Sequence, residues 1–175
     1  MNPSALVALA NLQRRRRGDT EPRTPLAEPR QVSQALADEG VTAGHLAQDA
    51  LPSVARLADA VSELADCIAL RRPRPRRAVG VLNELASGST ATIHLEVTDG
   101  AVQSSIAWCD RDPAAGLARR VIGELGSTDL SRLLQCQREE CDLLFYDATR
   151  SRTQRWHAEN PCGWLERQRR RRTTS

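Results

Sequence analysis

The chain has 175 residues, enough for one medium-sized domain or for one domain with a small appendage. Apolar residues make up 40% of it and aromatic residues only 3%, so a core must consist mainly of Leu, Val and Ala side chains. No run reaches the roughly eighteen apolar residues of a membrane span, and the first arginines follow the N-terminal apolar stretch instead of preceding it as in a secretory signal. We therefore expect a cytoplasmic protein without a membrane segment, whose five cysteines are free thiols or metal ligands rather than disulfides.

Charge is distributed unevenly along the chain, although the formal net charge is only +3. Residues 1–142 carry 17 arginines and 19 acidic residues, whereas residues 143–175 carry 8 arginines and 3 acidic residues. Such asymmetry indicates an acidic partner for the C-terminal segment, with nucleic acid as the first candidate. The arginines at 14–17 and in the "RRPRPRR" segment (71–77) are expected to lie in solvated loops.

Helical periodicity dominates the first part of the chain. In the clearest segment Val54, Leu57, Val61 and Leu64 recur at the spacing of one helix face. Asp112 is expected to cap the last of these helices. The pattern predicts four helices, over residues 29–40, 51–70, 78–88 and 112–126.

Between the third and fourth predicted helices the period changes from that of a helix to that of a strand. Residues 92–108 alternate apolar and polar side chains on either side of Asp99–Gly100, which is a strong signal for a hairpin turn. Residues 1–126 are thus predicted to form a helical domain with one hairpin near 92–108.

The C-terminal segment (127–175) has a different character. Two short apolar runs, "SRLLQC" and "LLFYDA", favour extended structure, and a basic helix is expected after Pro161. The predicted fold is therefore mainly α with small β-hairpins, in which a helical N-terminal domain precedes a zinc-stapled β-hairpin and helix.

Two pairs of potential metal ligands stand in this C-terminal segment. The spacing is Cys136-x4-Cys141, fifteen residues, then His157-x4-Cys162, which is the arrangement of a structural zinc site. Three thiolates and one imidazole occupy all four coordination positions of a tetrahedral zinc ion and leave none open. The alternative is that these are ordinary buried thiols and a surface histidine. Cys67 and Cys109 are expected to be core residues rather than ligands.

The same segment resembles the C-terminal zinc finger of the CGNR family, bacterial proteins read as stress-responsive transcription regulators. Family members have a hairpin with two cysteines, a stretch close to "LFYD-TSRNRSRRW", and a second Cys pair that ends in Cys-Gly-Asn-Arg before a basic helix. Here "LFYDATRSRTQRW", His157 and "CGWLERQRRRR" occupy those places, between Arg132 and Arg172. The resemblance implies one structural zinc ion and, through "VLNELAS" (81–87), a helical ABATE-like N-terminal domain.

The chain departs from the family pattern at two places. His157 stands where the family usually has cysteine, which makes the site Cys3His. Trp164 and Leu165 replace the Asn and Arg of the signature, so a contact made by those two residues would be lost.

The basic side chains around the site suggest duplex DNA as a partner, because guanidinium groups bind phosphate through two hydrogen bonds at once. The alternative for the C-terminal run is a solvated tail. The residues predicted to bind DNA are Arg150, Arg152, Arg155, Arg167, Arg169 and Arg170.

Two other classes of function compete with a DNA-binding regulator. In the first, Trp164 and Leu165 provide an apolar surface for a protein partner in the transcription machinery. The second is an enzyme, which we do not expect, because the sequence has no nucleophile–His–acid order and no phosphate-binding glycine loop, and His45 and His94 are isolated. The oligomeric state is left open at this stage.

Overall fold

The computed structural model of the chain describes residues 3–12, 14, 28–41 and 46–173. Within these ranges the chain forms six α-helices, namely α1 (Ser4–Asn11), α2 (Pro29–Asp38), α3 (Leu51–Ala69), α4 (Arg76–Ala86), α5 (Pro113–Ser127) and α6 (Trp164–Thr173). No helix of the described residues is both long and apolar enough to cross a bilayer.

In the described part of the chain, four strands form two separate antiparallel hairpins. The long hairpin pairs β1 (Ser89–Thr98) with β2 (Ala101–Asp110), and the short one pairs β3 (Leu133–Gln135) with β4 (Leu144–Tyr146). Asp99 and Gly100 form the tight turn of the long hairpin with positive φ angles of 52° and 79°. A mainly helical fold with two small hairpins, which the periodicity predicts, is thereby confirmed.

The predicted helix boundaries agree with the structure to within two residues. Periodicity over 51–70 and 112–126 corresponds to α3 and α5, and the Oδ1 atom of Asp112 accepts a hydrogen bond of 2.9 Å from the backbone N–H of Ala115. This contact caps α5 as expected. α3 packs against α1, α4 and α5, and its buried face forms the centre of the core.

The first helix, α1, has no counterpart among the sequence predictions. It is the most completely buried helix, and its core residues are Ala5, Leu6, Ala8, Leu9 and Ala10. A helix that is apolar on most sides lacks the alternation by which amphipathic helices are recognised.

A buried carboxylate holds the N-terminus of α1. Both oxygens of Glu124 in α5 accept backbone hydrogen bonds, from the N–H of Ala5 at 3.0 Å and from that of Leu6 at 2.7 Å. A negative charge at this end of a helix satisfies open N–H groups and interacts favourably with the helix dipole. Glu124 thus connects α5 to α1 across 119 residues of sequence.

The C-terminal hairpin shares the core of the helical part. Leu133 of β3 and Leu144 of β4 are each 1% exposed and belong to the same apolar cluster as the helices. The side chain of Asn11 accepts a 2.9 Å hydrogen bond from the N–H of Leu144 and donates a 2.8 Å bond to its carbonyl. The boundary at 126/127 stays a prediction, and the two sides of it are in direct contact.

Arg14 does not lie in a solvated loop, contrary to the sequence prediction. Its side chain is 8% exposed and forms an ion pair with Asp66 of α3 at 2.6 Å. It also donates to the carbonyl oxygen of Asp142 at 2.9 Å, close to Cys141. Packing against α3 and the segment before β4 removes this arginine from water. Residues 15–17 and His45 lie outside the described residues.

The long hairpin stands apart from the core. Every residue of β2 is exposed, as are all but the first of β1. Cys109 in β2 is therefore exposed, and the expectation that it is a core residue is wrong, whereas Cys67 in α3 is partly buried.

Replacing Glu124 by Ala should lower the free energy of unfolding by about 1–3 kcal/mol, because two backbone N–H groups lose a charged acceptor in a buried site. Urea denaturation of the full chain measures this change. The matched control is Glu84→Ala, which removes an exposed carboxylate paired with Arg56 and should have little effect. Equal losses in both variants would contradict the assigned role of Glu124.

Candidate metal centre

The four residues singled out by their spacing lie together in the folded chain. The donor atoms of Cys136, Cys141, His157 and Cys162 all lie within 4.8 Å of one another, and Nδ1 of His157 is 3.5 Å from Sγ of Cys141. A tetrahedral zinc ion with bonds of about 2.0–2.3 Å places its ligands about 3.5–3.8 Å apart. The donor set and its dimensions therefore fit one zinc ion.

The tight turn between β3 and β4 supplies the first pair of ligands. The N–H of Cys136 donates to the carbonyl of Leu143 at 2.9 Å, and the N–H of Cys141 donates to the carbonyl of Arg138 at 3.0 Å. These bonds turn the chain back over four residues and point both sulfur atoms into one space.

Two contacts bring the second pair of ligands to the first. The N–H of Gln137 donates to the carbonyl of Arg155 at 2.9 Å, which ties the turn to the segment just before His157. After Cys162 the chain passes so close to Trp156 that a Cβ on Gly163 would lie 3.2 Å from its ring and 2.5 Å from a carboxylate oxygen of Glu159. A larger residue after the last cysteine would therefore have to displace the Glu159 side chain and shift the Trp156 ring slightly.

Apolar side chains shield the cluster from water. The three sulfur atoms belong to residues no more than 5% exposed, and the side chains of Leu143 and Trp156 pack against them. Burial, together with the neighbouring Cys136, raises the pKa of the Cys141 thiol to about 12. Burial likewise raises the pKa of Cys162, while a hydrogen bond from Arg138 acts in the opposite direction. In the absence of a metal, Cys141 and Cys162 therefore keep their protons at neutral pH.

A buried aspartate organises the basic loop before His157. One oxygen of Asp147 accepts from the N–H of Thr149 at 2.9 Å and the other from the N–H of Gln154 at 3.1 Å. The hydroxyl of Thr149 also donates to this carboxylate. That bond has the largest effect, and together with the two backbone bonds it lowers the pKa of Asp147. Sequence reasoning missed this residue, although Asp side chains commonly accept a hydrogen bond from the backbone two residues on in turns. Arg138 was missed as well, since nothing in the sequence distinguishes it from other arginines.

The six arginines predicted to bind DNA are all exposed and fall into two groups. Arg150, Arg152 and Arg155 lie in or next to the loop organised by Asp147, while Arg167, Arg169 and Arg170 lie on α6. Four of them form ion pairs with acidic side chains, namely Arg152 with Asp129 at 3.3 Å, Arg169 with Glu139 at 3.0 Å, Arg170 with Glu166 at 3.9 Å, and Arg167 with Glu159.

The two residues that replace the signature pair differ in exposure. Trp164 is 51% exposed at the start of α6, whereas Leu165 is partly buried. A groove lined by both of them, by Arg138 and by Arg169 separates α6 from the turn between β3 and β4.

We expect one zinc ion per chain, because four protein donors complete one tetrahedral site. Native mass spectrometry of wild-type protein and of the double variant Cys136→Ser/Cys162→Ser measures the stoichiometry, which should fall from one to zero. The control variant Cys67→Ser/Cys109→Ser removes two thiols outside the cluster and should keep one ion. Zinc retained by the first double variant would show that other residues bind it.

Zinc affinity should rise with pH, because binding must displace protons from thiols whose pKa is raised. With Cys141 and Cys162 protonated, log K should increase by at least about two for each pH unit. The increase should persist above pH 8.5, where an ordinary thiol has already lost its proton. Competition with a chelator across a pH series measures the slope. A slope that falls to zero by pH 9 would show that these thiols ionise normally.

Comparison with known proteins covers the C-terminal part of the chain. Residues 132–174 match the family model of the CGNR zinc finger. No curated protein matches the chain. The matched residues include all four donor atoms of the cluster and the helix that follows it, and the ABATE-like character of the N-terminal part remains an expectation. Residues 132–174 thus match the CGNR zinc finger and carry a Cys3His cluster that can hold a single zinc ion.

Proposed function

We propose that the protein is a DNA-binding transcription regulator, in which a structural zinc ion fixes an arginine-rich loop and the basic helix α6 as one phosphate-binding surface. One observation carries the proposal: six exposed arginines lie on the two segments that the metal ligands join. Arg155 is two residues before His157, and Arg167 is five residues after Cys162, so a bound ion restricts both groups at once.

The ion pairs of the finger are compatible with phosphate binding. They lie at the surface, where exposed pairs contribute little and exchange readily with other anions. Arg150 and Arg155 are paired with no acidic group among the described residues. Duplex DNA presents a much higher density of negative charge than isolated carboxylates do, and release of its counterions favours binding at low salt.

The metal in this proposal has a structural role. Three cysteines and one histidine occupy all four positions of a tetrahedral zinc ion, so no position remains for a substrate or an activated water. We accordingly propose a binding protein and not an enzyme.

A second candidate function rests on Trp164. A half-exposed tryptophan beside a groove is typical of a protein-binding surface, since large aromatic side chains dominate interface energetics.

The indole of Trp164 and the isobutyl group of Leu165 cannot provide the bidentate base contacts that polar side chains make, and each such contact contributes about 1–3 kcal/mol of discrimination. We therefore expect weak sequence preference if the finger binds DNA.

DNA affinity of the zinc-loaded chain should fall steeply as salt rises. Removing Arg150 and Arg155 together should lower the slope of log K against log salt by about two, because each phosphate contact contributes about one. Fluorescence anisotropy with a duplex oligonucleotide across a salt series measures the slope. The charge-matched control is Arg30→Ala/Arg72→Ala, which changes two exposed arginines outside the finger and should leave the slope unchanged.

Two outcomes would overturn the DNA proposal. The first is no binding by wild-type protein at low salt, and the second is equal behaviour of the two double variants. Capture of a protein partner that is lost in Trp164→Ala, together with absent DNA binding, would favour the second candidate.

A further inference from the structure

The long hairpin of β1 and β2 has two chemically different faces. Directly opposite residues of an antiparallel pair share a face, and the register pairs Ala91 with Trp108 and Val97 with Val102. The other face carries polar residues such as His94 and Glu96. The apolar face consists of Ala91, Ile93, Leu95, Val97, Val102, Ile106 and Trp108, with Ser104 as the one polar side chain among them.

Apart from the guanidinium group of Arg119 at Trp108, no described part of the chain covers this apolar face. Ile93, Leu95, Val97 and Val102 are 71–75% exposed, Ile106 is 58% exposed and Trp108 is 49% exposed. A two-stranded hairpin without a packed face is at best marginally stable in water, and monomeric proteins rarely expose a continuous apolar patch of this kind. The face therefore requires a covering layer.

Contacts at the base of the hairpin fix its position relative to α5. Arg119 of α5 forms an ion pair with Asp110 at 2.9 Å and stacks its guanidinium group on the ring of Trp108, 4.4 Å from the centroid. Asp110 also accepts a 2.6 Å hydrogen bond from Ser89. The carboxylate lies so close to Gly116 that a Cβ there would be 2.6 Å from one of its oxygens. The hairpin is thus anchored at one end and projects beyond the helices.

The rest of the chain offers little material to cover the face. Outside the described residues, Met1 and Leu26 are the only large apolar side chains in the sequence. Six exposed side chains need a larger apolar surface than these two provide, which favours another molecule as the cover.

The chemistry of the face suits a second copy of itself. Between the Ala91–Trp108 pair and the Val97–Val102 pair it carries no charge, so two identical faces meet without burying like charges. Six side chains of this size expose on the order of 400–500 Å² of apolar surface. A two-fold contact would thus bury roughly 800–1,000 Å² in total, which is at the lower limit for a specific interface.

We propose that the protein is a homodimer in which the apolar face of each β1–β2 hairpin packs against the same face of a second copy. The contact is isologous, because each copy both contributes and receives the same side chains. The two hairpins stack as two layers about 10 Å apart, like the sheets of a sandwich. The inference does not depend on the DNA proposal, since the finger contributes nothing to this face.

Sedimentation velocity of the full zinc-loaded chain over a dilution series tests the proposal. Wild-type protein should be dimeric at micromolar concentration and dissociate on dilution. Ile93→Glu places a carboxylate at the centre of the interface and should weaken dimerisation at least about 100-fold, because two like charges would meet in a dry contact. The matched control, His94→Glu, adds the same group one residue away on the polar face and should leave dimerisation unchanged.

Two further measurements serve as controls for folding and for metal binding. Ile93 is 73% exposed in the single chain, so Ile93→Glu should keep the far-UV circular dichroism of wild type. The Cys136→Ser/Cys162→Ser variant should remain dimeric, which separates this surface from the finger. The proposal would be overturned if wild-type protein is monomeric at 50 µM or so. It would also be overturned if Ile93→Glu dimerises normally, or if His94→Glu weakens dimerisation as much as Ile93→Glu does.

Discussion

The convergence of three buried sulfur atoms and one imidazole nitrogen within 4.8 Å determines the structure of the C-terminal finger. Without a cation, burial keeps Cys141 and Cys162 protonated, and four donors meet with few contacts beyond Leu143 and Trp156. With zinc, the three thiols would bind as thiolates beside a neutral imidazole, and the metal would supply stability that so small a module cannot obtain from its own core. The turn between β3 and β4, the loop organised by Asp147 and the start of α6 all depend on this one site.

The finger also depends on the helical part of the chain. Leu133 and Leu144 are covered by the main core, and Asn11 binds both backbone groups of Leu144. α1 lies between the two regions, because Glu124 holds its first turn and Asn11 at its other end contacts β4. A change in the position of α1 would therefore be transmitted to the hairpin that carries two of the metal ligands.

Local patterns in the sequence predicted much of this architecture. α3 and α5 follow from helical spacing, the long hairpin from alternation around Asp99–Gly100, and the metal centre from the equal spacing of its two ligand pairs. Each of these signals arises among residues close together in the chain, where geometry is set by short-range rules.

The features that local patterns missed depend on contacts between distant residues. Glu124 and Ala5 are 119 positions apart, and Asn11 and Leu144 are 133 positions apart. α1 escaped prediction because a short helix buried on most sides shows no amphipathic pattern. Nothing in the local sequence singles out Arg14, whose burial depends on Asp66 and Asp142, both distant in the chain. The exposure of the long hairpin could not be predicted from the sequence either, because alternation shows that one face is apolar but not what covers it.

Leu133 and Leu144 have a consequence for how such a finger can be inherited. Both residues lie inside the segment that the family model matches, yet their side chains are buried by helices encoded before it. A finger moved onto an unrelated protein would carry two large apolar side chains without cover. The backbone N–H and carbonyl of Leu144 would also lose their hydrogen bonds to Asn11. Exchange of the finger alone between proteins therefore requires the recipient to provide a matching apolar surface. The unit that can be inherited without such adaptation extends beyond the metal site to include α1 and the neighbouring face of α3.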